Sequence, residues 1–267
     1  MSRSQAKYFF ISRHFVLSAL CVVALGCASL GTYNPATGRN EFIFIPTDTE
    51  VAMGREVHQK LLQEFKLSTN PGQIARVNRI GKKVAQVSDR QDYEYHFYLV
   101  EKDELNAFTT PGGNIYFYSG LLNKLKTDDE IAAVLAHEIG HCAAKHTIKK
   151  YQAAASYSIV ESLIFSQIGA ENQVVRVASL GSDALNTLIF SAYSRQDELQ
   201  ADKLGLKYLY LAGYALDGII KTLEVLKAES KGPDLPLILR SHPYLEDRIA
   251  AVKKEIERIK AEEQMGR

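Results

Sequence analysis

The stretch that decides the fold is residues 128–146, which read DDEIAAVLAHEIGHCAAKH. Three acidic residues precede apolar residues at helical spacing, and acidic groups stabilise the first turn of a helix. The pattern predicts a helix that begins near Asp128, with Lys145 and two further lysines near its end. Within it, His137 and His141 are four residues apart, so their imidazoles share one face of the helix.

The two histidines and the residue beside them form a metal-binding pattern. His137 and His141 can both reach one ion, and Glu138 sits one step round the helix, next to that ion without ligating it. We interpret this as a zinc site in which Glu138 is the general base for a water activated by the metal. The alternative is a surface helix whose two histidines are hydrated.

A third ligand is available downstream, where residues 194–202 read SRQDELQAD. Glu198 and Asp202 are four residues apart and therefore on one helical face. Glu198 can complete a His-His-Glu site, and Asp202 can accept a hydrogen bond from a ligating histidine and fix its tautomer. An acidic, solvated helix face is the alternative for such a pair.

At these motifs the chain resembles the zinc metallopeptidase family that includes HtpX and the CAAX prenyl protease, in its soluble periplasmic branch. The family pattern is HExxH on one helix and SRxxExxAD on a later one, and both are present. The resemblance extends over about residues 33–255 through Asn34-Pro35-x-Thr37-Gly38, Asn106-Ala107-Phe108, Pro111-Gly112-Gly113, Ser241-His242-Pro243 and Arg248-Ile249. It implies one zinc ion, endopeptidase activity on polypeptides and a gluzincin-like fold.

The resemblance also implies roles for residues away from the two helices. Asn106, Ala107 and Phe108 resemble a substrate-side edge strand, which would bind an extended peptide by strand addition; the alternative is the approach to a tight turn. We hypothesise that His242 lies at the zinc site, where it stabilises the oxyanion or occupies the open position of the metal. A helix-capping arrangement is the alternative for His242. Arg248 is expected to pair with a site carboxylate or to bind substrate.

Two residues close to the HExxH motif are expected to be structural. Cys142 points about 100° away from the ligand face and is predicted to be a small buried core residue. His146 is also off that face, and a solvated or capping histidine is the expectation.

The N-terminus resembles an export signal. Residues 1–14 carry three basic and no acidic residues, an apolar run follows to Leu25, and the small residues Gly26 and Cys27 come next. We predict a lipoprotein-type signal peptide at residues 1–26, with Cys27 lipidated, a lipid-anchored lead-in at 27–46 and a metallopeptidase domain at 47–267. A plain signal peptide or an N-terminal membrane anchor is the alternative. The predicted location is the periplasm, anchored to the outer membrane.

Composition and periodicity predict a mainly helical α+β domain. The 32 basic and 31 acidic residues leave no clustered basic excess, which argues against nucleic-acid binding. Two short strands are expected, at residues 93–100 and 114–118, with a small hairpin or sheet beside the active-site helix. Residues 31–46 are expected to be irregular, and the apolar segment 151–193 is expected to form helices that cover the site.

Three functions are compatible with these features. The first is a peptidase that degrades or processes misfolded envelope proteins. The second is a zinc-stabilised chaperone or assembly factor for outer-membrane proteins, with latent proteolysis and contacts to the assembly machinery. The third is a helical lipoprotein without metal, which would contain no zinc after purification. An unligated Glu138 favours chemistry, because a purely structural zinc site has no use for a base.

Overall fold

The computed structural model describes residues 31–154, 182–232 and 234–265. The predicted signal peptide, the lipidation site Cys27 and most of the predicted cover at 151–193 lie outside the described residues. Among the helices that are described, none is both long and apolar enough to cross a lipid bilayer.

Helices account for most of the described chain, as the sequence predicts. The strands are β1 (Gly31–Asn34), β2 (Arg39–Phe42), β3 (His96–Val100), β4 (Ala107–Thr110) and β5 (Asn114–Tyr118). The helices are α1 (Thr47–Glu64), α2 (Pro71–Ala85), α3 (Ser119–Lys124), α4 (Asp128–Ala143), α5 (Ser182–Phe190), α6 (Arg195–Leu211), α7 (Asp217–Glu229), α8 (Leu237–Ser241) and α9 (Leu245–Met265). A 3-10 turn at Pro111–Gly113 joins β4 to β5, and residues 146–154 are also helical.

A three-stranded sheet divides the hydrophobic core into two parts. Its order is β3-β5-β4, with β3 parallel and β4 antiparallel to the central strand β5. Side chains of β5 alternate between the two faces: Ile115 and Phe117 join the cluster that contains α2, α4, α6 and α7, while Tyr116 and Tyr118 join the cluster that contains α1 and α5. The sheet is therefore buried on both faces, and its strands β4 and β5 pack against α4.

Helix α4 is the central element of the larger cluster. It begins with a capping box, in which the Thr127 hydroxyl accepts from the Glu130 N–H and the Glu130 carboxylate accepts from the Thr127 N–H. It packs most extensively against α6, the helix that carries the second motif. A Cβ atom on Gly140 of α4 would lie 2.6 Å from the Ala201 carbonyl oxygen, so this glycine allows the two helices to approach closely.

Three expectations about local structure were wrong. Residues 31–42 are not irregular but form the antiparallel hairpin β1–β2, closed by a turn in which Gly38 has a φ of 68°. Periodicity predicts only two strands, but β4, which lies at the segment that resembles an edge strand, completes the sheet as a third. The helix with the HExxH motif ends at Ala143, because Lys145 adopts a left-handed φ of 58° and redirects the chain.

Candidate metal centre

Four side chains from three parts of the chain converge on one point. His137 and His141 come from α4, Glu198 comes from α6, and His242 follows α8; a ligand atom from each lies within 4.8 Å of the others. The Nε2 atoms of His137 and His141 are 3.1 Å apart, and the Glu198 carboxylate is 3.3 Å from His141 Nε2. All four residues are at most 6% exposed.

The spacing and the charge of this cluster fit a divalent cation. Ligands that each lie about 2.0–2.1 Å from a tetrahedral ion are roughly 3.3 Å from one another, which matches the observed separations. Among the described residues, the buried charges at the site are the carboxylates Glu138, Glu198 and Asp202 and the guanidinium of Arg248. Three negative groups against one buried positive group leave an excess of negative charge, which the partly buried Lys150 offsets only in part and which a divalent ion would neutralise.

Asp202 and Arg248 hold His137 from behind. Asp202 Oδ1 lies 2.8 Å from His137 Nδ1, and Arg248 donates to both Asp202 oxygens at 2.7 Å. With its Nδ1 proton directed at Asp202, His137 presents the Nε2 lone pair to the cluster. Burial opposes ionisation of Asp202, but the guanidinium of Arg248 and the hydrogen bond with His137 outweigh it and lower the pKa of Asp202.

Arg248 also contacts the proposed ligand Glu198. Its Nη1 lies 2.7 Å from Glu198 Oε2, and the residue is 4% exposed. Burial opposes ionisation of Glu198 as well, yet Arg248 and His242 hold the pKa of this carboxyl well below its ordinary value. Arg248 was expected either to pair with a site carboxylate or to bind substrate. In the structure it pairs with the carboxylates of Glu198 and Asp202. Its role toward substrate stays a prediction.

Glu138 lies beside the cluster and not within it. Its Oε1 is 3.6 Å from His242 Nε2, and its Oε2 has no hydrogen-bond partner among the described residues although it is buried. A buried carboxylate oxygen without a partner is costly unless something else occupies the space beside it. That position suits a base directed at a water or a substrate at the metal.

His242 is brought into the cluster by the end of a short helix. Its backbone N–H bonds the Ile238 carbonyl at 2.8 Å, and its Nδ1 lies 3.0 Å from Glu198 Oε1. Tyr193 binds the same segment, since its N–H donates to the Ser241 carbonyl at 3.0 Å while its ring stacks on His141. Tyr244, two residues further on, has a φ of 67°, an uncommon conformation for an aromatic residue.

His146 contacts the site, contrary to the expectation that it is solvated or a helix cap. It is 2% exposed, and its Nδ1 lies 2.9 Å from His141 Nδ1. Helical periodicity would point it away from His141, but the left-handed Lys145 turns the chain and brings the ring back. Burial lowers the pKa of His146 to about 4, so the ring is neutral near pH 7. Apart from the presence of a histidine at position 146, nothing in the sequence predicts that this residue contacts His141. Cys142 is buried, as predicted.

A strand, β4, lies at the segment expected to be an edge strand, but it is covered; its role toward substrate stays a prediction. Asn106, Ala107 and Phe108 are at most 2% exposed, and β4 forms the edge of the sheet next to β5. The Phe108 ring stacks on Tyr116 at 4.8 Å and meets Phe190 of α5 edge-on at 5.1 Å. The structure thus brings a sheet edge that pairs with no further strand among the described residues close to α4, and α5 packs against β4.

Sequence comparisons bear on this arrangement. Residues 71–256 match the family described as Peptidase family M48. The chain is 28% identical over 177 residues to the mitochondrial metalloendopeptidase OMA1 of Schizosaccharomyces pombe, covering 65% of this chain and 51% of that protein. It is 27% identical over 206 residues to the beta-barrel assembly-enhancing protease of Escherichia coli K12, covering 75% and 42%, and 24% identical over 233 residues to that of Yersinia pestis, covering 85% and 48%. The chain spans about half the length of the curated relatives it matches.

Two histidines and a glutamate around one point, with a second glutamate beside them on an α+β scaffold, form the arrangement typical of metallopeptidase sites. The chain belongs to peptidase family M48, because the match covers well over half of its 267 residues. The family resemblance drawn from the two motifs is therefore confirmed.

Proposed function

We propose that this chain is a zinc-dependent endopeptidase of the bacterial cell envelope that acts in protein quality control. The observation that carries the proposal is the convergence of His137, His141 and Glu198 with an unpartnered Glu138 carboxylate beside them. Two imidazoles and a carboxylate are the ligand set of catalytic zinc sites. When bound, zinc would supply Lewis-acid chemistry, which activates water and polarises a peptide carbonyl.

Different residues of the chain would then perform proton transfer and the positioning of the ligands during hydrolysis. Glu138 removes a proton from the attacking water as the new carbon–oxygen bond forms, and it delivers that proton to the amide nitrogen as the carbon–nitrogen bond breaks. Asp202 and Arg248 keep His137 in one tautomer and orientation. The buried surroundings strengthen these electrostatic interactions by excluding bulk water.

The substrate is an extended polypeptide that pairs with β4. The strand lies at the edge of the sheet and next to α4, so a peptide added there would run past the metal centre. Ala107 and Phe108 would supply backbone groups, and Asn106, whose buried side-chain amide has no partner among the described residues, would supply a polar side chain. The helix α5 would have to move from the Phe108 ring for this edge to open.

His242 keeps the site latent in this proposal. A catalytic zinc site has three protein ligands and an open fourth position. His242 stands in the cluster with the three proposed ligands, so it would fill that position and leave no room for water. The same observation favours a second candidate function, an assembly factor for outer-membrane proteins in which zinc stabilises the fold and proteolysis stays latent.

The envelope location is supported by two features. The bacterial relatives are named beta-barrel assembly-enhancing proteases, which connects those proteins with outer-membrane assembly. The N-terminal residues resemble a lipoprotein signal, with Cys27 as the predicted lipid-bearing residue. Cell fractionation of the wild type and Cys27→Ala, with mass spectrometry of the N-terminal peptide, tests the anchor: the substitution is expected to release the protein from the membrane.

Substituting Glu138 by Gln tests the catalytic proposal. This change keeps the size of the side chain but removes the base, so the variant should bind zinc like the wild type and lose cleavage of an unfolded protein by 100-fold or more, on the order expected for general bases. The exposed Glu257→Gln is a matched control that should behave like the wild type.

Three outcomes separate the candidate functions. Persistent cleavage by Glu138→Gln would remove this residue from the mechanism. A purified wild type without zinc would overturn the metal site itself. If Glu138→Gln still supports outer-membrane assembly in cells, the assembly-factor function gains support over proteolysis.

A further inference from the structure

We propose that His146 and Gln200 are positioning residues that fix the tautomer of His141, and that the hairpin β1–β2 sets their orientation. The inference rests on the proposed metal site, because it concerns how one of the ligands is held. The Nδ1 of His137 faces the carboxylate of Asp202, whereas the Nδ1 of His141 faces the ring of His146. A neutral histidine can either donate or accept at Nδ1. The surroundings of His146 therefore determine whether it accepts a hydrogen bond from His141 or donates one to it.

The hairpin fixes the first amide in this chain of hydrogen bonds. The backbone N–H of Ala36 donates to Asn34 Oδ1 at 2.9 Å, within the turn between β1 and β2. An amide that accepts through its oxygen must present its nitrogen on the other side. Asn34 Nδ2 accordingly points to Glu41 Oε1 at 2.7 Å and to Gln200 Oε1 at 3.4 Å. The side chain of Asn34 is buried, which holds this orientation.

The second amide passes the orientation on to His146. Gln200 presents its oxygen to Asn34, and the same oxygen lies 2.9 Å from His146 Nε2. A carbonyl oxygen only accepts, so His146 Nε2 must carry the proton. The carboxylate of Asp197, 3.4 Å from the same nitrogen, is also an acceptor and favours the same tautomer.

The last step reaches the ligand. A neutral His146 with its proton on Nε2 has a lone pair on Nδ1, so His141 Nδ1 must donate across the 2.9 Å contact. The proton of His141 is then on Nδ1, and its Nε2 lone pair faces His137 and Glu198 in the cluster. The backbone N–H in the hairpin, together with the Asp197 carboxylate, thus favours the tautomer in which Nε2 of His141 is free to bind a metal.

A pair of variants at His146 tests the relay. An asparagine places an oxygen near the position of Nδ1 and keeps the acceptor for His141, whereas a glutamine places its amide near Nε2 and keeps only the contact with Gln200. Partners of metal-binding histidines typically contribute 10–100-fold to metal affinity. We expect His146→Gln and His146→Leu to weaken zinc binding about 10–100-fold, and His146→Asn to remain within about threefold of the wild type.

The measurements are the zinc dissociation constant from competition with a chromophoric chelator and the visible absorption of the cobalt-substituted protein. The melting temperature of each metal-free variant shows whether it folds. A residue that only fills space would instead rank glutamine above asparagine, because glutamine is nearer to histidine in size. That ranking, or equal affinities for all variants with unaltered cobalt spectra, would overturn the relay while leaving the proposed function intact. A wild type that binds no zinc would overturn both.

The hairpin end of the relay is tested by Asn34→Asp. Aspartate keeps an oxygen for the Ala36 N–H but has no N–H to donate to Gln200, so the orientation of the Gln200 amide is released. Zinc affinity is expected to fall several-fold. Asn40→Asp is the matched control, since it adds the same charge to an exposed position of the same hairpin and should leave affinity unchanged. Equal affinity of both variants would remove the hairpin from the relay.

Discussion

At the scale of single residues, the proposed latency of the metal centre rests on His242. Its Nδ1 is 3.0 Å from Glu198 and 3.3 Å from His137 Nε2, so it competes with water for the same space. His242→Ala should weaken zinc binding about tenfold or more, because a fourth ligand is lost, and raise cleavage of an unfolded protein several-fold, because the open position is restored. Chelator competition and cleavage of a fluorogenic casein measure the two effects.

The exposed His96→Ala is the control for loss of a histidine elsewhere. A fall in cleavage by His242→Ala with zinc retained would instead assign His242 to stabilisation of the transition state. Unchanged zinc affinity and unchanged cleavage would show that His242 does not act at the site.

Spacing along a helix was sufficient to place some site residues but not others. His137 with His141, and Glu198 with Asp202, each share a helix face, and the structure brings the two pairs together. His146 could not be placed in this way, because its position depends on the left-handed conformation of Lys145, which a lysine does not signal. Periodicity describes one helix and carries no information about where the chain goes after it.

At the scale of elements, the distance between α4 and α6 sets the geometry of the site. Gly140 faces α6, where an added Cβ would lie 2.6 Å from the Ala201 carbonyl oxygen. Gly140→Ala should therefore separate the helices, lower stability by about 1–3 kcal/mol and weaken zinc binding. Gly205→Ala on the opposite helix meets its nearest atom at 3.3 Å, and the gain in helix propensity of about 0.5–1 kcal/mol largely offsets that contact.

Urea unfolding and chelator competition on the two alanine variants check this comparison. The expected pattern is a clear loss of stability and of metal affinity in Gly140→Ala and little change in Gly205→Ala. Equal behaviour of the two variants would mean that the separation of α4 and α6 is not set by the glycine of the HExxH motif.

A buried ion pair joins α1 to the end of α4. Arg90 binds Glu50 through two hydrogen bonds of 2.6 and 3.1 Å and also donates to the Cys142 carbonyl in the last turn of α4. Both side chains are at most 5% exposed. Arg90→Met would leave the Glu50 carboxylate buried without its partner, and we expect a loss of about 3–5 kcal/mol in the free energy of unfolding.

The control for Arg90→Met is Lys66→Met, which removes one partner of the exposed Lys66–Glu101 pair. Exposed pairs contribute little because water and salt screen them, so the urea midpoint of this variant should be close to that of the wild type. A similar midpoint for Arg90→Met would show that Glu50 is neutral or hydrated in the folded protein.

Elements with strong local signals were predicted more reliably than those stabilised by tertiary contacts. The strand at residues 114–118 and the helix α4 begin where the sequence places them. The hairpin β1–β2 was not predicted because its strands are four residues long and lack apolar alternation. It is also held by distant contacts, such as the Gln152 side-chain amide that donates to the Phe42 carbonyl at 3.0 Å.

At the scale of the whole molecule, the balance of buried charge couples metal binding to stability. In the part of the chain that the structure describes, Glu138, Glu198 and Asp202 face the guanidinium of Arg248 at the site. Without a cation this region holds an excess of negative charge in a poorly solvated environment, offset only in part by Lys150 and by His137, whose pKa Glu198 and Asp202 raise despite burial. Such an excess destabilises the folded state. A bound ion stabilises only the folded state, by about 2.7 kcal/mol when free metal exceeds its dissociation constant 100-fold.

Removing the metal should therefore lower the melting temperature. For a chain of this size, about 2.7 kcal/mol corresponds to a shift of roughly 5–10 °C. Differential scanning calorimetry with a chelator, followed by added zinc, measures the loss and its recovery, and magnesium should not restore it because its preferred ligands are oxygens. In His137→Ala the zinc-dependent part of the shift should disappear, since that variant lacks one of the proposed ligands. A melting temperature that is the same with and without zinc in the wild type would show that the buried carboxylates are compensated without a metal.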